Sequence, residues 1–89
     1  MPDDEQILKN QGYSVETWSS GPGFAYPVHD HPYHKVLVVK TGSITFRLTR
    51  SRREVVLGSG ERLELPAGTP HSALVGPEGV TCLEAHKTG

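Results

Sequence analysis

His29 and His31 stand two residues apart in the stretch Gly23-Phe24-Ala25-Tyr26-Pro27-Val28-His29-Asp30-His31-Pro32-Tyr33-His34-Lys35. In a β-strand, residues two apart point to the same face, so this pair projects two imidazoles side by side, which is half of a metal site. A third histidine, His71, follows Pro66-Ala67-Gly68-Thr69-Pro70, a turn able to carry the chain across the fold and return it opposite the pair. Three neutral imidazoles suit zinc, iron, nickel, copper or cobalt, and the lack of a carboxylate disfavours hard ions such as manganese. Open positions on such an ion would make it a Lewis acid toward a small molecule, or an oxygen activator if it were iron or copper. His34 has the wrong strand parity for this face, but a bulge at Pro32 would turn it inward and make it a candidate fourth ligand. His86 lies outside both stretches and reads as a surface residue.

The elements that must position these side chains are mostly strands. Asp3 and Asp4 cap a short helical turn carrying Ile7 and Leu8 and ended by Gly12, so residues 1–12 form an N-terminal extension. Tyr13, Val15, Thr17 and Trp18 mark a first strand, with Trp18 read as a packing residue, and Gly21-Pro22-Gly23 stops it. Residues 24–31 continue extended, but Pro27 and Pro32 lack ladder donors and confine the segment to an edge, a bulge or a barrel rim. Val36-Leu37-Val38-Val39 is an apolar run with both faces covered, and Thr41-Gly42 is expected to turn it back into residues 43–50 as a hairpin. There Ile44, Phe46 and Leu48 alternate with Thr45, Arg47 and Thr49, one buried and one wetter face. The basic tip Arg50-Ser51-Arg52-Arg53 reads as a solvated hairpin end, since nothing aromatic or Gly-rich accompanies it. Further strands are expected at 54–57, 62–65, 69–75 and 80–87, with a tight turn at Gly76-Pro77-Glu78-Gly79. Short strands at regular spacing with Gly and Pro punctuation imply an all-β sandwich or barrel over residues 13–87.

Eighty-nine residues make one small domain. A chain of this length buries only about two-thirds of the surface its unfolded form exposes, so a homodimer is expected, with the strand around Val15 and Trp18 as the pairing edge. A net charge of −1 with mixed signs gives no electrostatic footprint for nucleic acid or an anionic membrane. No apolar run approaches the roughly 20 residues that span a bilayer, and the first residues are acidic where a signal peptide is basic, so a cytoplasmic protein is expected. The one cysteine, Cys82, has no internal disulfide partner and reads as a small buried hydrophobe.

In order and spacing, the two histidine stretches resemble the two motifs of the cupin superfamily. The first family motif is a glycine, five residues, His-x-His, three or four residues, a glutamate, six residues and a glycine; Gly23, His29, His31 and Gly42 match it. The second is a glycine, five residues, Pro-x-Gly, two residues, a histidine, three residues and an asparagine; Gly60, Pro66, Gly68 and His71 match. The resemblance implies a double-stranded β-helix, or jelly-roll barrel, with His29, His31 and His71 as ligands of a divalent metal inside it. Two positions depart from the family: Lys35 stands where the glutamate ligand belongs, and Val75 where the asparagine belongs. Lys35 keeps the parity of the ligands, so its ammonium is expected to escape the metal toward solvent or an acidic partner. Tyr26, Tyr33, Lys35 and Val75 are the expected pocket residues, with the two tyrosines and the lysine as acid or base candidates. Two functions follow: a metal-dependent enzyme such as a dioxygenase or isomerase acting on a small polar molecule, or a non-catalytic module that binds or senses a small ligand, with the metal retained or lost.

Overall fold

The computed structural model describes residues 3–87. A helix, α1 (Asp4–Asn10), precedes six strands: β1 (Ser14–Ser20), β2 (Ala25–His29), β3 (His34–Leu48), β4 (Arg53–Leu57), β5 (Arg62–Leu65) and β6 (His71–Lys87). The Asp3 side chain caps the helix by accepting from the Gln6 amide. All strand pairs are antiparallel.

Two long strands, β3 and β6, run through the whole fold and pair with each other from His34–Lys87 at one end to Leu48–His71 at the other. Each contributes to two layers. In one layer the first half of β3 and the second half of β6 lie between β5 and β1; in the other their remaining halves lie between β4 and β2. β2, which carries Pro27, pairs only with β6 and so lies at an edge, as a strand with a missing ladder donor must.

The passage from one layer to the other corrects two expectations. Thr41-Gly42 does not turn a hairpin but forms a bulge within continuous β3, and Gly76-Pro77-Glu78-Gly79 is an excursion within continuous β6, bypassed where pairing jumps from Gly42–Val80 to Ile44–Val75. Glycine is required here: Gly42 has φ +80°, and a Cβ on it would stand 2.0 Å from the Gly79 carbonyl oxygen. The hairpin in this region is instead β3–β4, whose turn holds the exposed arginines.

Strand parity then separates two cores. Leu37, Val39, Ile44, Phe46, Val75 and Cys82 point between the layers. Val36, Val38, Leu83 and Ala85 point to the outside of the first layer, where Leu8 of α1 covers them with Tyr13 and Val15 alongside. This is why Val36 to Val39 is apolar on both faces. Among the described residues no helix is long and apolar enough to cross a membrane.

Candidate metal centre and cavity

His29 ends β2 and His71 begins β6, and the two are register partners across that pair. His31 follows in the loop after β2, held by its carbonyl, which accepts from the Gly68 amide at 2.8 Å. Gly68 takes φ +75° in the turn before His71, so one backbone bond ties the loop of the first two histidines to the turn that delivers the third. A ring nitrogen from each of His29, His31 and His71 lies within 4.8 Å of the others.

Hydrogen bonding fixes which nitrogen is free. His29 Nδ1 donates to the Pro27 carbonyl at 2.7 Å, and His71 Nδ1 donates to the Thr69 carbonyl at 2.9 Å. His31 Nε2 accepts from Lys35 Nζ at 3.4 Å, which leaves the proton on Nδ1, 3.2 Å from the Tyr33 hydroxyl. All three rings are therefore held at Nδ1 with the Nε2 lone pair unprotonated, the arrangement by which second partners orient metal-ligating histidines. Burial, then the Lys35 charge and the neighbouring imidazoles, push His31 below the ordinary imidazole range. His71 is also pushed down by burial, against a smaller opposite effect of its bond to Thr69. Both shifts favour the neutral, ligand-competent form.

The triad opens into a cavity of about 310 Å³ between the layers. Its walls are apolar and aromatic, with Trp18, Tyr26, Leu37, Ile44 and Phe46 facing the histidines. One charged pair interrupts them. Lys35 Nζ lies 3.0 Å from Glu84 Oε1, with both side chains largely buried, and the same oxygen accepts from Trp18 Nε1 at 3.1 Å. Lys35 thus faces the triad as its parity requires, and its acidic partner is Glu84.

Several expected roles change. His34 is turned to the opposite face, where it bonds Glu64 at 3.1 Å and lies beside Tyr13; no bulge at Pro32 brings it inward, and it is not a fourth member of the cluster. Tyr33 does not line the cavity but stacks on His31 and orients it. Val75 is buried in the core between the layers and does not reach the cavity wall. Tyr26 lines the cavity, with its hydroxyl engaged by Ser20. Trp18, read as packing, is a cavity wall and a hydrogen-bond donor. His86 is not a surface residue: it is half-buried against Tyr33, and its Nδ1 has no partner among the described residues. Glu84 and Trp18 are the site residues that motif reading missed, since neither lies in a histidine stretch. The signal for Glu84 was parity: it shares the inner face of β6 with Cys82.

The chain is similar to the polyketide cyclase RemF from Streptomyces resistomycificus, with 25% identity and a TM-score of 0.74 over 83% of this chain and 53% of that one. It is also similar to the DMSP lyase DddQ from Ruegeria pomeroyi (21% identity, TM-score 0.78, 85% and 38% of the two chains). A cupin-2 domain containing protein from Shewanella frigidimarina has 17% identity and a TM-score of 0.71, over 85% and 71% of the two chains. The chain therefore spans about half the length of the cyclase and well under half that of the lyase. No protein-family model matches the sequence. No curated protein matches it either. The two shared long strands, the bulged crossing between layers and these structural neighbours together show that the chain has the cupin fold.

Proposed function

We propose that this protein is a metal-binding cupin in which His29, His31 and His71 hold one divalent transition metal and the adjoining cavity takes a small organic molecule. The observation that carries this reading is the tethering of all three rings at Nδ1, which leaves three Nε2 lone pairs for a cation. An all-imidazole set suits zinc, iron, nickel, copper or cobalt. When bound, such an ion supplies Lewis acidity toward a ligand oxygen. Lys35 must then release His31 Nε2, and Glu84, 3.0 Å away, retains it.

The residues around the triad favour an enzyme over a passive binding module. Glu84 is the one carboxylate among the residues lining the cavity, held by Lys35 and Trp18, and it is positioned to accept a proton from a ligand there. Proton transfer of the isomerase or lyase kind uses these groups directly. Similarity to a cyclase and a lyase, both named for acting on small molecules, agrees with this class. Dioxygenase activity would draw instead on the identity of the metal. The protein is proposed to work as a homodimer in the cytoplasm, without nucleic acid or membrane partners.

Metal analysis of the purified protein tests the reading. About one transition-metal ion per chain is expected, with most of it lost on replacing any one of the three histidines by alanine. Full metal content in the triple alanine variant would overturn the assignment.

A further inference from the structure

Beyond the triad the cavity offers ligands few polar partners, and the charged ones are Lys35 and Glu84. Lys35 is buried to nine-tenths of its side chain, and its ammonium has three N–H donors. One goes to Glu84 and one to His31 Nε2. A third remains for a ligand. Once His31 turns its lone pair to a cation, a second donor is released beside the triad. The two hydroxyls on the wall are already engaged, Tyr26 by Ser20 and Ser19 by Thr81. The opposite walls, Leu37, Ile44, Phe46 and Ala73, carry no side-chain donor or acceptor. A sugar or nucleotide, which needs polar groups around its whole perimeter, would leave most of its hydroxyls unpaired here.

From this arrangement we infer that the cavity selects a small organic acid, with its carboxylate placed between Lys35 and the histidine triad and an apolar or aromatic body against Trp18 and Phe46. The inference rests on the metal-binding reading above. With a divalent cation on three neutral imidazoles, Lys35 positive and Glu84 negative, the polar end of the cavity carries net positive charge, while the remainder is apolar. An anion at one end of a hydrophobic body matches both parts. Glu84 sets the strength of this preference, because it offsets the Lys35 charge while holding the ammonium in place. The two members of one ion pair therefore act with opposite signs on the same ligand.

Zinc-loaded protein, titrated calorimetrically with cinnamate and with its neutral amide, tests this. Zinc content is measured on every sample. The wild type is expected to bind the acid at least about tenfold more tightly than the amide. Lys35→Met should retain zinc but lose most of that preference, Lys35→Arg should restore it in part, and Glu84→Gln should increase it. Zinc uptake with equal affinity for acid and amide, or a preference unchanged in Lys35→Met, would overturn the inference and leave the metal centre standing. Failure of the wild type to take up zinc or any other transition metal would overturn the metal centre, and this inference with it.

Discussion

Lys35 and Glu84 meet diagonally across β3 and β6: Lys35 is paired in register with His86 and Glu84 with Leu37, yet Nζ and Oε1 are 3.0 Å apart. Diagonal neighbours on one face of a sheet are within reach of long side chains. The pair thus fills the place where the cupin motif has a carboxylate with a cation on one strand and its counter-ion on the next.

Lys35→Glu should therefore act oppositely on the metal-free and metal-bound protein. Without metal, two largely buried carboxylates would face each other in place of an ion pair, at a cost of about 3 kcal/mol. With metal, the new carboxylate adds a negative ligand beside three imidazoles, and affinity should rise at least about tenfold. Chemical denaturation of the metal-free form and competition with a chelator for the loaded form measure the two effects. Unchanged affinity would mean that residue 35 does not approach the ion.

The stability of the metal-free protein should depend on pH through the histidines. His31 and His71 titrate below the ordinary value of 6.5, so the unfolded chain takes up their protons first as pH falls. Depressed folded-state values give stability that is full above about 6.5 and is lost as pH drops through the lowered values. Thermal melts between neutral and mildly acidic pH should show a falling midpoint. The slope should flatten in His71→Gln.

The bulge between layers should be intolerant of side chains. Gly42→Ala places a Cβ 2.0 Å from the Gly79 carbonyl oxygen at φ +80°, and about 3 kcal/mol or more of stability should be lost. Gly21→Ala serves as the comparison and should change little, because its new methyl group would meet nothing within 4 Å and the backbone there has no positive φ. Equal denaturation midpoints for the two variants would contradict the close approach.

Sedimentation should show two chains at micromolar concentration, with the Trp18 side chain itself outside the seam because it faces the cavity. Helix α1 covers the outside of the first layer, whereas the outside of the second leaves Val56 (66% exposed) and Leu74 (54%) bare on either side of Thr45, with Val28 of β2 also exposed. An isologous contact through this face would cover it. Leu74→Asp should give a monomer with little loss of stability. A wild-type monomer at high concentration would contradict the dimer.

The cupin fold was legible because histidine spacing and strand alternation are local signals. His29, His31 and His71 fell at family positions, and Leu37, Ile44 and Phe46 at inward parity. Glycine was the ambiguous letter. A positive φ serves a hairpin turn and a bulge equally well, and only the pairing of Gly42 with Val80 reveals that β3 continues. Glu84 was hidden for a related reason: its role depends on which strand lies beside Lys35, a relation between residues far apart in the chain.

β3 and β6 each serve both layers, and this has a consequence for how the chain folds. Their contacts join distant residues, from Leu48 with His71 to His34 with Lys87. Neither layer has its central strands until these two segments meet, so loop closure over the intervening β4 and β5 precedes most of the stabilising burial. Folding should be slow for so short a chain, with the β3–β4 hairpin as the local structure available early. The three histidines come together through a different long-range contact, the pairing of β2 with the start of β6 that sets His29 opposite His71, so a metal-binding signal during refolding would report the docking of that edge strand.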